Sequence, residues 1–176
     1  QTELDAYICR HGLGYTILEG EKNGIAAVQE LFVPRGDACE IDRLTLTNKT
    51  AAPKTLDVFS YVEFCLWDAM DDSSNFQRNF STGEVEVVGN AIYHKTEYRE
   101  RRDHYAVFWA NTPVTSFDTS RDAFCGVYGG PAAPEAVRVG HCSGSIAHGW
   151  APVGAQHFHL TLAPGEQKRI IFGLGY

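Results

Sequence analysis

The residues best suited to chemistry sit in one six-residue stretch, Asn75-Phe76-Gln77-Arg78-Asn79-Phe80. It joins amides, a guanidinium and two aromatic rings. That mixture reads sugars, with forked donors for adjacent hydroxyls and flat apolar faces for ring C–H groups. An arginine that ties down its own loop fits the same residues. Asp68, Asp71 and Asp72 crowd the turn just ahead and could hold a divalent cation. Their spacing departs from the Ca2+ loop pattern, and glycine is missing where the sharp turn needs it, so a solvated acidic loop is expected. His157 and His159 lie two apart and share one face of a strand if a strand forms there. Nothing near them in sequence completes a tetrahedral metal set, so exposed strand histidines are the expectation. Glu63, Glu84 and Glu86 are candidates for paired-carboxylate chemistry, although their alternation is that of outward-facing strand positions. Residues 97–103 carry three acids and three arginines, which nearly cancel and suggest a laced polar surface. Ser143-Gly144-Ser145 lacks the spacing of a nucleophile elbow, and no glycine-rich phosphate loop precedes a helix. Residue types alone assemble no catalytic apparatus.

The elements that must position these groups read as strands nearly throughout. Leu44 and Leu46 alternate with Arg43 and Thr45, and turn chemistry follows over residues 48–53. Leu56, Val58, Ser60, Val62 and Phe64 then share one face, while Phe59, Tyr61 and Cys65 populate the other. Apolar residues on both faces predict a strand covered on both sides, or one at an interface. Val85 and Val87 lead to a Gly89-Asn90 hairpin signal and a return over residues 91–96. Tyr105, Val107 and Trp109 form a further run that Pro113 stops. Phe158, Leu160 and Leu162 alternate with His157, His159 and Thr161; residues 163–166 turn, and Ile170, Phe172 and Leu174 come back. Antiparallel hairpins at short spacing predict an all-β sandwich. No ten-residue stretch carries a helical stripe. The least regular region, residues 68–81, has the length of a functional loop.

At 176 residues the chain is one domain long and can bury a core without staples. Its formal charge of −7 makes nucleic acid and anionic membrane poor partners, because an acidic surface repels phosphate. No apolar run is long enough to span a bilayer, and the first residues given show no signal-peptide pattern. The chain starts at Gln1 without secretory character, so excision from something longer is expected. Five cysteines stand at 9, 39, 65, 125 and 142. An odd count without a CxxC pair predicts free thiols, no zinc knuckle and a reducing, cytoplasmic compartment.

Several stretches carry a wider likeness. RHGLGYT (10–16), EKNGI (21–25), YVEFCLWDAMDDSSNFQRNFSTGEVEV (61–87), YHKTEYRERRDHYAVFWAN (93–111), SIAHGW (145–150) and LTLAPGEQKRIIFGLGY (160–176) resemble the inverting cellobiose phosphorylases. Chitobiose phosphorylases and cyclic β-glucan synthases share the general pattern. The resemblance implies a large antiparallel β-sandwich of the supersandwich type, with residues 1–176 part of one N-terminal domain. It also implies a helical linker and an (α/α)6-barrel catalytic domain, both outside this chain, and a homodimer. In such enzymes phosphate attacks the anomeric carbon while an aspartic acid of the barrel protonates the leaving oxygen. Cellobiose becomes glucose and α-glucose 1-phosphate. No catalytic residue, metal or cofactor is then expected in residues 1–176, inorganic phosphate being a co-substrate. The loop resembling NFQRNF implies that Gln77 and Arg78 line the leaving-sugar subsite of the partner subunit. Two other classes remain open: a stand-alone carbohydrate-binding module, and a mutarotase-like enzyme for which His94, His104 and Glu63 offer the parts.

Overall fold

The structure, a computed structural model, describes residues 3–64, 70, 83–96, 105–149 and 151–176. Eleven strands and two five-residue helices follow one another in these residues. Strands β1 (Ala6–Gly12), β2 (Tyr15–Lys22), β3 (Ile25–Phe32) and β4 (Cys39–Asn48) form a meander. The β2–β3 turn is Asn23-Gly24, with φ of 52° and 75°. Two successive positive φ values are what an Asn-Gly hairpin turn supplies at low steric cost.

Strand β5 (Lys54–Glu63) leaves that sheet and starts a second one. The larger sheet then resumes with β6 (Gly83–Val88), β7 (Ala91–Thr96) and β8 (Tyr105–Ala110). The second sheet gains β9 (Ser116–Ser120), followed by helices α1 (Arg121–Cys125) and α2 (Glu135–Val139). Strand β10 (Pro152–Leu162) runs between β5 and β9, and β11 (Gln167–Gly175) returns to the large sheet. The orders are β1-β2-β3-β4-β11-β8-β7-β6 and β5-β10-β9, with every pairing antiparallel. The expected antiparallel sandwich is therefore present, with its hairpin at Gly89-Asn90. Residues 163–166 do not close the hairpin the alternation suggested: β10 pairs with β5 and β9 and β11 with β4 and β8, so this turn carries the chain from the small sheet to the large one.

The inner faces meet in a core of Phe64, Ile92, Phe108, Phe158, Ile170 and Phe172. Phe172 stacks on Phe108 at 6.0 Å and meets Phe158 edge-on at 5.7 Å, geometries that aromatic quadrupoles favour. A second cluster lies on the outer face of the small sheet, where Phe59 and Tyr61 pack with Phe124, Cys125, Ala136, Cys142, Val153 and Ala155. Strand β5 is thus covered on both faces, which explains its two apolar sides. The helices responsible are too short to leave a periodic stripe in the sequence.

Asn48 joins the two sheets. Fully buried, it donates through Nδ2 to the carbonyls of Ala52 (2.8 Å), Leu162 (3.1 Å) and Ala163 (3.2 Å). Its Oδ1 accepts from Thr50 N (2.9 Å) and Thr50 Oγ1 (2.7 Å). One side chain therefore fixes the turn leaving β4 against the turn between β10 and β11.

Candidate functional site

Glu63 ends β5 and Gly83 begins β6, so these positions bracket the segment that carries Gln77 and Arg78. Gln77 and Arg78 lie outside the described residues, as do Asp68, Asp71, Asp72, Cys65, His104 and residues 97–103. Next to the start of β6 is a cleft of about 590 Å3 flanked by Glu84, Glu86, Tyr93, Lys95, Tyr105 and His148. Cross-strand register sets Glu84 opposite Lys95, Lys95 opposite Tyr105, and Glu86 opposite Tyr93. Carboxylates, an amine and half-exposed phenol rings on one wall suit a polyhydroxylated ligand with apolar ring faces.

Residues 146–149 also line the cleft, beside β6, where His148 forms an antiparallel bridge with Glu84, and β9 anchors the segment leading into them. Fully buried Asp118 accepts from Ser143 N (3.1 Å), Ser143 Oγ (2.6 Å) and Ser145 N (3.0 Å). Thr119 Oγ1 donates to Ser145 O (3.0 Å) and accepts from Ala147 N (2.7 Å). A buried carboxylate saturated by such donors fixes a loop without a metal. Ser143-Gly144-Ser145 thus has a structural role, consistent with its lack of elbow spacing.

The two histidines on β10 depart from their expectation. His159 is exposed, but His157 is only 3% accessible, because Phe59 stacks on its ring at 4.6 Å within the outer cluster. Antiparallel register then brings Asp57 of β5 directly opposite His159. Asp57 Oδ1 lies 2.8 Å from His157 Nε2 and 2.7 Å from His159 Nδ1. The far nitrogen of His157, Nδ1, is 2.9 Å from Ser116 Oγ, which also accepts from Cys142 N at 3.0 Å. Hydrogen bonds from His159 and then His157 hold the Asp57 carboxyl below its ordinary range. The sequence reading missed Asp57 because it lies 100 residues from His157 and only strand register brings them together.

The parts considered for a mutarotase-like site do not converge among the described residues. His94 is buried on β7, stacked on Phe64 at 5.0 Å, and burial lowers its pKa to about 4. Glu63 faces the opposite side of the small sheet, where its Oε1 accepts from Tyr61 OH (2.6 Å) and Arg121 Nε (3.2 Å). Burial and then the Glu63 hydrogen bond keep the Tyr61 phenol protonated well above its ordinary range. Glu84 and Glu86 point outward, as their alternation suggested. The four described cysteines are free thiols. Burial next to the Asp118 charge pushes that of Cys142 up to about 12, which makes it a poor nucleophile.

The fold and its edge cleft define the class, a large antiparallel β-sandwich domain. The chain belongs to the family described as "Glycosyl hydrolase 94, supersandwich domain", which it matches over residues 1–176. It is 34% identical over 173 residues to an N,N'-diacetylchitobiose phosphorylase of Vibrio furnissii, an alignment covering 96% of this chain and 22% of the relative. To a solabiose phosphorylase of Paenibacillus borealis it is 35% identical over 166 residues, covering 93% and 21%. Among solved structures, a polysaccharide lyase superposes with a TM-score of 0.52 at 12% identity, covering 90% of this chain and 21% of that one; this likeness concerns the fold alone. The chain spans about a fifth of the length of the curated relatives it matches.

Proposed function

We propose that this chain is part of the substrate-recognition and dimerisation domain of an inverting disaccharide phosphorylase. The reaction is cellobiose plus phosphate to glucose plus α-glucose 1-phosphate. What carries the reading is membership of the family across residues 1–176, together with relatives named as disaccharide phosphorylases. Phosphate takes the place of activated water in inverting glycoside cleavage, so only one protein carboxyl group is indispensable. That acid belongs to a barrel domain outside residues 1–176. Gln77 and Arg78 serve the leaving-sugar subsite of the partner subunit in a cytoplasmic homodimer, and no cofactor is required.

The cleft beside β6 supports a recognition role. Its acids and tyrosines suit sugar hydroxyls and ring faces, and the strand that lines it follows the NFQRNF segment directly. Two assays test the reading. The purified chain, incubated with cellobiose and phosphate, should release no glucose above background. The full-length protein should cleave cellobiose only when phosphate is present, with a higher kcat/KM than for N,N'-diacetylchitobiose or solabiose. Preference for another disaccharide, or no cleavage of cellobiose, would reject cellobiose as substrate, and phosphate-independent cleavage would reject the phosphorylase class.

A further inference from the structure

We propose that Asp57, His157 and His159 form a zinc-binding site on the outer face of the small sheet. Their three donor atoms lie within 4.8 Å of one another. Donors bound at about 2.0–2.1 Å in a tetrahedral shell sit roughly 3.3 Å apart, so small side-chain rotations close the set around an ion. Two histidines at i and i+2 on one strand, with an acid directly opposite on its neighbour, place all three groups on the same face.

The set is built from one fixed ligand and two adaptable ones. The His157 side chain is only 4% accessible, clamped by the Phe59 ring and by Ser116. Asp57 and His159 side chains are 40% and 55% accessible, which gives the ion a path in and leaves a coordination position for water. Ser116 Oγ supplies the supporting contact that metal-binding histidines usually have. With His157 protonated at Nδ1, that N–H donates to Ser116 Oγ and the Nε2 lone pair faces the ion. His159 ligates through Nδ1 and keeps its proton on Nε2, toward solvent. The ion thereby takes the position between the two ring nitrogens and Asp57 Oδ1 that hydrogen bonds now bridge.

Donor chemistry selects the metal class. Ca2+ and Mg2+ take oxygen ligands, whereas two imidazole nitrogens with one carboxylate suit zinc. Cys9 and His11 form an exposed competing pair, with Sγ and Nε2 3.2 Å apart, so the test belongs in a Cys9→Ser background.

In that background, calorimetric titration with ZnCl2 should show one bound ion per chain. His159→Ala and Asp57→Asn should each weaken binding at least about tenfold, since loss of a merely supporting partner already costs about 10–100-fold. Both positions are solvent-accessible, and unchanged circular dichroism verifies that each variant folds. Substitution by Co2+ should give visible d–d absorption without the near-ultraviolet band of a thiolate ligand. Absence of binding, an affinity in either variant equal to that of the Cys9→Ser parent, or a thiolate band would each overturn the site. None of those results bears on phosphorolysis, whose residues are elsewhere.

Discussion

His94 shows how one buried side chain ties stability to pH. Its ring is 1% accessible, stacked on Phe64, and Nε2 has no hydrogen-bond partner among the described residues. Desolvation therefore disfavours the imidazolium and lowers the pKa from 6.5 to about 4. The unfolded chain takes up the proton first as pH falls. Stability from this group is fully present above about pH 6.5, is lost progressively between 6.5 and 4, and changes no further below that. The full loss is about 3 kcal/mol. His94→Phe keeps an aromatic stack and cannot titrate, so its urea midpoint should be flatter than wild type across this window. Asp57 contributes in the same direction but lower, because its depressed pKa matters only below the ordinary value of 3.8. Equal pH slopes for wild type and His94→Phe between pH 6.5 and 4.5 would refute the assignment.

Between elements, Asn48 is the joint most open to test. Asn48→Ala removes five side-chain hydrogen bonds at a fully buried position and leaves the Leu162 carbonyl without one of its donors. A cost of about 2–4 kcal/mol is expected, seen as a lower urea midpoint at unchanged slope. A shift under about 0.5 kcal/mol, typical of surface sites, would show that the turns hold without it. This joint was invisible in the sequence, since Leu162 lies 114 residues away. Local pattern did reveal β4, β5, β6, β7, β8, β10 and β11, because each alternates or carries a strong turn signal. It did not reveal β1, β2, β3 or β9, the last a short polar strand without alternation. Every residue of β1 is exposed, and none in β2 or β3 is fully buried, so no inside–outside contrast marks them. The Asn23-Gly24 turn was the signal available there. Burial of His157 also escaped, because the layer that covers it comes from distant Phe59 and its neighbours.

At the scale of the whole molecule, the proposed function makes Arg78 a recognition residue that acts across a subunit interface. A guanidinium presents five donors in a rigid fork, suited to adjacent sugar hydroxyls, and a site built on such bonds discriminates by stranding desolvated donors when the wrong sugar binds. In the full-length enzyme, Arg78→Ala should raise KM for acceptor glucose in the synthetic direction or lower kcat/KM. Loss of one charge-assisted hydrogen bond implies about 1.5–3 kcal/mol, or roughly 10–150-fold. The rival is an arginine that anchors its own loop. It would lower the melting temperature and leave acceptor kinetics unchanged, whereas the recognition role leaves the melting temperature nearly where it was. A mixed dimer separates action within a subunit from action on its partner. One subunit carries Arg78→Ala, and the other lacks the barrel's catalytic acid. If the loop serves the partner's site, the only chemically competent site faces the intact loop, and acceptor KM returns to near the wild-type value. A KM that stays high in confirmed mixed dimers would place the action of Arg78 within its own subunit.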